Sequence, residues 1–133
     1  MTSLLLALVL AASPQTFLVA LEPSSVYMSW QEPIVAGAVE EVRASHGRQA
    51  FTKHDARHTS ARFLLSLNVA AMGSHALASV KIIELANGKL VSSNKVGIER
   101  ATKELCVAEV RKLVKKLLEA LPIDLPPPEP TKK

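Results

Sequence analysis

The chain has 133 residues, of which 48% are hydrophobic and 21% are charged. This length holds one globular domain, and the composition excludes disorder as its main state. Only 4% of the residues are aromatic and the net charge is +4, so the chain lacks the stacking platforms and dense basic patch of a dedicated nucleic-acid binder. Its single cysteine excludes an internal disulfide.

An apolar run, Leu4 to Ala12, follows the first three residues. The run is too short to span a bilayer, which takes about 20 apolar residues, and it is typical of a secretory signal peptide. Cleavage after Ala11 fits the small residues best, although no basic residue precedes the run and no cysteine marks a lipoprotein signal. We therefore expect residues 1–11 to be a signal peptide, with the alternative that the run is a buried part of the domain.

A strand, a loop and a helix are predicted next. Gln15 to Leu21 is a short apolar run bounded by turn residues, which favours a buried strand. Ser24 to Gln31 is predicted to be a loop. A helix is predicted from Pro33, because proline suits the first helical position, and Gly47 is the candidate residue for ending it.

A brief strand and a three-stranded meander are predicted in the middle of the chain. The brief strand covers Gln49 to Thr52. Apolar residues then alternate from Ala61 onward, over His75 to Leu85, and again over Lys89 to Ile98. Between the last two strands stands Asn87-Gly88, a strong hairpin signal because both residues accept positive φ.

The last predicted element is a long helix from Glu99 to Leu121. Its apolar side chains repeat at i, i+3, i+4 and i+7 and form one stripe, made of Val107, Val110, Leu113, Val114, Leu117 and Leu121. Cys106 falls in the same pattern and is expected to be a buried apolar side chain. Residues 122–133 are rich in proline and are expected to be a disordered tail, so that the single domain spans residues 14–121.

This order of elements predicts the fold class. A strand–helix–strand opening implies a right-handed crossover and a parallel pair of strands, and the meander adds antiparallel pairs. We expect an α/β domain with a mixed sheet of about five strands and a long C-terminal helix, in a three-layer arrangement like that of anticodon-binding domains.

The hairpin from Ile82 to Val91 resembles a known pattern. A strand ending Ile82-Ile83-Glu84-Leu85 leads through a glycine turn to Lys89-Leu90-Val91. It is similar to the hairpin "l-v-D-x-x-t-G-k-v-l" of a superfamily of bacterial envelope domains. Its members include the amino-terminal domain of the Tol translocation protein B, the curli secretion component CsgG and the lipoprotein activators of penicillin-binding proteins.

The resemblance implies an envelope domain that binds other proteins and has no catalytic residue. It also implies export to the periplasm or beyond. The sequence departs from the pattern in four ways. Glu84 replaces the usual Asp, and Asn87 replaces the usual Thr. Only Lys53 to Ser60 is available for a second crossover helix, and the lipoprotein cysteine of two of those families is missing.

One segment, His54-Asp55-Ala56-Arg57-His58, is a candidate for metal chemistry. Two histidines four residues apart share a face of an α-helix and resemble the H-E-x-x-H pattern of zinc proteases. However, Asp stands for Glu, the neighbours are polar, and His46 or His75 would supply a third ligand only by chance. Exposed loop histidines are the default expectation. No nucleophile elbow, phosphate loop or dinucleotide fingerprint occurs, and no cofactor is expected.

Two surfaces are candidates for binding. Tyr27 and Trp30, in the loop after the first strand, are either a partner contact or a lid over the core. The basic face of the last helix is a candidate site for anionic surfaces. The strand residues Arg62, Lys81 and Lys89 are expected to be ordinary outward charges. The leading hypothesis is an exported, non-catalytic envelope module that binds or assembles with proteins, and the alternatives are a small metal-binding hydrolase and a peripheral binder of anionic surfaces.

Overall fold

The computed structural model describes residues 14–23 and 26–126. The strands are β1 (Gln15–Leu21), β2 (Arg48–Phe51), β3 (Phe63–Met72), β4 (His75–Glu84) and β5 (Leu90–Ile98). The helices are α1 (Met28–Ala44), a 3-10 helix (Ala56–Ser60) and α2 (Lys103–Ala120). The predicted signal peptide, residues 1–11, and residues 127–133 of the predicted tail lie outside the described residues.

The five strands form one mixed sheet in the order β2-β1-β3-β4-β5. β1 pairs in parallel with β2 and β3, with Phe17 opposite both Ala50 and Phe63. β3, β4 and β5 are antiparallel neighbours. The α/β fold class, the parallel β-α-β opening and the meander predicted from the sequence are therefore confirmed.

Both α-helices pack on one face of the sheet. Alternate apolar residues of the strands face them and form the core, including Phe17, Val19, Phe63, Leu65, Leu67, Val69, Val80 and Ile82, all almost fully buried. The rings of Phe17 and Phe63 stack with their centroids 5.1 Å apart. Burial of this apolar area is the main term that stabilises the fold.

The second face of the sheet carries only the 3-10 helix as a further layer in the part of the chain that is described. Phe51 follows Ala50 on β2 and so points away from α1. The Arg57 guanidinium of the 3-10 helix lies 5.0 Å from the centroid of the Phe51 ring, and Phe51 is buried. A single 3-10 turn is what the short segment Lys53 to Ser60 can supply.

Helix α1 begins earlier than the sequence predicts. It starts at Met28 and contains Pro33 in its second turn, so part of the predicted loop Ser24 to Gln31 is helical. Val26 is buried and Trp30 packs against the core. Because Pro33 has no backbone N–H, the helix lacks one hydrogen bond. Burial of Val26 and Trp30 outweighs this loss and favours the extra turn. The helix ends at Ala44, and Gly47 turns the chain into β2 with φ of +78°.

Helix α2 has the predicted amphipathic character with a shifted stripe. Thr102 caps it, because its hydroxyl accepts a hydrogen bond from the Leu105 N–H at 3.1 Å. The buried residues are Cys106, Val110, Leu113, Val114, Leu117 and Leu118, followed by Leu121. Val107 is only half-buried, and its Cγ1 lies next to Gly37 of α1.

The connection between β4 and β5 differs from the two-residue turn predicted at Asn87-Gly88. β4 ends at Glu84 and β5 starts at Leu90, so five residues connect them. Only Gly88 has positive φ, at +71°, whereas the Asn87 side chain accepts a hydrogen bond from the Lys89 N–H. This local hydrogen bond stabilises the turn, so Asn87 does not need a positive φ.

Residues 122–126, assigned to the tail by the sequence, contact the domain. Gln15 Nε2 donates to the Pro122 carbonyl at 3.1 Å. Arg62 donates to the carbonyls of Leu125 and Pro126, each at 2.6 Å, and Leu125 packs against the core. Arg62 is thus no ordinary outward charge, whereas Lys81 and Lys89 are exposed as expected.

No helix in the described part of the chain is long and apolar enough to cross a membrane. The longest, α2, carries charged residues along its whole outer face.

Candidate binding surface

Tyr27 and Trp30 lie where the chain leaves β1 and enters α1. Tyr27 is the residue before the helix, and Trp30 lies in its first turn. Their rings meet edge to face, with centroids 5.2 Å apart and an interplanar angle of 76°. Aromatic pairs favour this geometry, so each ring restricts the other.

The two rings differ in exposure. Trp30 is half-buried and packs against the core, which agrees with the predicted lid. Tyr27 is 72% exposed and is therefore accessible to a partner. The partner contact that the sequence suggests for this pair stays a prediction.

A methionine adjoins the aromatic pair along the chain. Met28 follows Tyr27 directly and is 84% exposed. A small pocket beside the rings is lined by Val26, Tyr27, Trp30, Ala71, Gly73 and Ala101. We call Tyr27, Met28 and Trp30 the aromatic end. The sequence analysis did not single out Met28, although it lies between the two aromatic residues that were singled out.

The predicted histidine pair does not share a face of an α-helix. His54 lies in the turn before the 3-10 helix, and His58 lies within that helix. Arg57 holds Asp55 between them, with Arg57 Nη2 3.0 Å from Asp55 Oδ2. Hydrogen bonding to Arg57 lowers the pKa of the Asp55 carboxyl, which makes it a weaker base.

No cluster of three or more potential metal ligands occurs among the described residues. His46 precedes β2, and His75 begins β4, which is three positions away from β2 in the sheet. Neither histidine joins His54 in such a cluster. The metal-binding role of His54 and His58 remains a sequence prediction.

A groove of about 650 Å³ lies beside α1 and reaches His54. Its floor is apolar and its rim is charged, with the lining made of Leu21, Gln31, Glu32, Val35, Ala36, Val39, Glu40, Arg43, Thr52 and His54. Arg43 is engaged by the Ala50 carbonyl at 3.2 Å. Among these lining residues the structure shows no nucleophile hydrogen-bonded to a base, which is the arrangement that covalent catalysis requires.

The predicted basic face of α2 is partly neutralised. Arg111 bonds Glu41 and Glu40 of α1, each at 3.0 Å, and the hydrogen bond to Glu41 raises the Arg111 pKa. Lys112 lies 3.4 Å from Glu109. Lys115 and Lys116 are exposed and take part in no ion pair between described residues.

Cys106 is buried as predicted, and burial raises the pKa of its thiol. A raised pKa keeps the thiol protonated near neutrality, and the thiol is a poor nucleophile. This agrees with the sequence-based interpretation of Cys106 as a core side chain.

Comparison with solved structures places the fold. The PelC dodecamer from Paraburkholderia phytofirmans matches with a TM-score of 0.61 at 16% identity, over 79% of this chain and 88% of that one. Lipoprotein GNA1162 from Neisseria meningitidis matches with a TM-score of 0.52 at 16% identity, over 82% of this chain and 100% of that one. TolB from Acinetobacter baumannii matches with a TM-score of 0.55 at 7% identity, over 82% of this chain but 29% of that one.

No protein-family model matches the sequence, and it matches no curated protein. The identities to the solved structures are low, so these likenesses establish the fold alone. The resemblance of the Ile82 to Val91 hairpin to the superfamily of envelope domains is therefore confirmed at the level of the fold, because the chain has the TolB-like fold.

Proposed function

We propose that this chain is an exported, non-catalytic module of the cell envelope that binds another protein through the aromatic end. The observation that carries the proposal is the exposure of Tyr27 and Met28, with the Tyr27 ring held edge to face against the half-buried Trp30. Tyrosine, tryptophan and methionine are enriched in protein interfaces, and a ring fixed by a neighbour loses little entropy on binding.

The TolB-like fold supports this proposal by analogy. GNA1162 is named a lipoprotein, and PelC is described as a dodecamer. Self-assembly is therefore one form that binding can take in this fold. For this chain, the partner is either another envelope protein or a second copy, and the test below separates the two.

The test is site-specific photo-cross-linking in a bacterial host. A benzophenone amino acid replaces Tyr27, and in the matched control it replaces Leu85, which is 41% exposed on the connection after β4, away from the aromatic end. We expect one discrete adduct from position 27 and none from position 85. Mass spectrometry of the adduct identifies the partner, and an adduct with twice the chain's mass identifies self-assembly.

The same experiment measures how much the aromatic end contributes. Met28→Ala removes an exposed side chain without opening the core, so it leaves folding intact. We expect it to reduce the yield of the adduct about tenfold, as for truncation of a moderate interface anchor. Met72→Ala is the matched control, because Met72 is also exposed but alternates onto the other face of the sheet. Equal adduct yields from positions 27 and 85, or no effect of Met28→Ala, would contradict the proposal.

A further inference from the structure

The strand β5 is an open edge of the sheet. It is last in the strand order, and no described strand pairs with its outer side. It is nine residues long, and its sequence LVSSNKVGI contains no proline. Unpaired strand edges of this length are templates for a further strand, and proteins normally protect them.

Alternation of hydrogen bonds shows which main-chain groups face outward. The Glu84 N–H donates to the Lys89 carbonyl on the β5 side, whereas the Leu85 N–H donates to Arg62 on the β3 side. Since this direction alternates along an antiparallel strand, Val80 and Ala78 face β5. Their partners on β5 are Asn94 and Val96, so these two residues bond inward.

The main-chain groups of Ser93, Lys95 and Gly97 therefore point away from the sheet. One of them confirms the direction, because the Lys95 N–H donates to the Asn94 side-chain Oδ1 at 2.8 Å instead of to β4. The Asn94 side chain therefore satisfies one of the outward N–H groups of β5. A carbonyl of an incoming strand can replace Asn94 as the acceptor of this hydrogen bond.

The space beside this edge carries positive charge. A groove of about 350 Å³ between β5 and α2 is lined by Asn94, Lys95, Val96, Glu109, Lys112, Leu113, Lys115, Lys116 and Glu119. Lys112 is engaged with Glu109 at 3.4 Å. Lys95, Lys115 and Lys116 have no carboxylate within ion-pair distance in the described part of the chain.

We infer that the outer edge of β5 receives an extended, acidic segment of a partner protein as a sixth strand. The ladder from Ser93 to Gly97 fits a segment of about five to seven residues, at about 3.4 Å per residue. Its carboxylates would lie near Lys95 on the open face of the sheet and near Lys116 on the α2 side. A second copy is disfavoured as the occupant, because two-fold pairing of β5 brings the two sets of lysines together.

This surface is separate from the aromatic end, so the inference stands or falls independently of the proposed function. Its test uses the purified chain and three synthetic nine-residue peptides. The first alternates glutamate with valine, the second alternates lysine with valine, and the third is the glutamate peptide with a central proline. Binding is followed by the amide NMR shifts and hydrogen exchange of the chain.

We expect the glutamate peptide to shift the β5 amides and to slow exchange at Ser93, Lys95 and Gly97 in particular. Protection at alternate residues is the signature of an added strand, which charge attraction alone does not produce. The proline peptide and the lysine peptide should bind at least tenfold more weakly. Raising the salt concentration should weaken binding of the glutamate peptide.

Variants of the chain complete the test. Gly97→Pro removes an outward donor without touching the bonds to β4, and the space around the Gly97 Cβ position is open. Gly97→Ala is the matched control, because it keeps the N–H. We expect Gly97→Pro to abolish alternate-residue protection, Gly97→Ala to retain it, and Lys95→Glu to weaken binding about tenfold.

Several results would overturn the inference. These are equal binding of the three peptides, peptide shifts outside β5, or dimers of the free chain that disappear in Gly97→Pro. Tyr27→Ala should leave peptide binding unchanged, so failure here is distinguishable from failure of the proposed function. Should Gly97→Pro fail to fold, the Lys95→Glu variant and the exchange pattern of the wild-type chain still decide the question.

Discussion

At the scale of single residues, Arg62 has an unusual concentration of contacts. Its Nε lies 3.0 Å from Glu84 Oε2, and its guanidinium lies 4.7 Å from the centroid of the Phe63 ring. It also donates to the carbonyls of Leu125 and Pro126. Since the Glu84 side chain is only 7% exposed, the carboxylate depends on Arg62 for its partner.

This dependence gives a prediction for Arg62→Ala. The substitution leaves a buried carboxylate unpaired and releases the segment after α2, so we expect a loss of about 3–5 kcal/mol in the free energy of unfolding. Urea denaturation followed by the fluorescence of the single tryptophan, Trp30, measures it. The control is Arg57→Ala, which breaks the pair with Asp55 and the contact with the Phe51 ring but leaves no buried charge unpaired, so it should cost only about 1 kcal/mol. Equal losses in the two variants would contradict this account.

At the scale of elements, the contact between α1 and α2 depends on a glycine. A Cβ atom built on Gly37 would lie 3.0 Å from Val107 Cγ1 and 3.2 Å from Arg111 Cγ, closer than side chains normally approach. The missing side chain therefore lets the two helices approach closely on one face of the sheet. Salt bridges from Arg111 to Glu40 and Glu41 flank this contact.

The prediction at this scale concerns Gly37→Val. Extra methyl groups at a tight helix crossing force neighbours apart, so we expect a loss of about 1–3 kcal/mol in unfolding free energy. The double variant Gly37→Val, Val107→Ala vacates the contacted space and should be more stable than the sum of the single effects predicts. Urea denaturation of the four chains of this cycle gives the coupling energy. Simple additivity would show that the clash with Val107 is not the cause.

At the scale of the whole molecule, the start of the fold bears on the predicted export signal. β1 begins at Gln15, so cleavage after Ala11 leaves three residues before the first strand. Gln15 is itself held by the Gly47 carbonyl and by Arg48. A signal peptidase acting at Ala11 would therefore remove no residue of the five described strands.

We expect the exported chain to begin at Ala12 when it is expressed in a bacterium with its first eleven residues intact. Cell fractionation followed by amino-terminal sequencing and mass measurement checks this. The control replaces Leu5 and Leu6 in the apolar run with Asp, which should keep the chain in the cytoplasm at full length. A native chain found in the cytoplasm with Met1 attached would rule out the envelope function.

The sequence by itself determined the strands and helices in their order along the chain, and from that order the mixed sheet. Apolar residues alternate around Phe63 and Val80, and an apolar stripe passes through Val110 and Leu117. These patterns indicate which face each strand or helix buries, because hydrophobic periodicity is the primary local signal of secondary structure. The sequence also drew attention to Tyr27 and Trp30. The helices begin at Met28 and Lys103, whereas the sequence predicts starts at Pro33 and Glu99. Helix ends are harder to predict because they respond to packing as well as to local signals.

The tertiary structure alone decided which distant residues meet. It brought Ala71 and Ala101 beside Tyr27, joined Arg62 to Glu84 and Leu125, and left β5 at the edge of the sheet with Lys95 and Lys116 on either side. No local pattern encodes such contacts, because they depend on strand order and on how α2 packs across the sheet. The candidate binding surfaces of this chain therefore follow from its tertiary structure, whereas the face that each strand and helix buries follows from the local sequence.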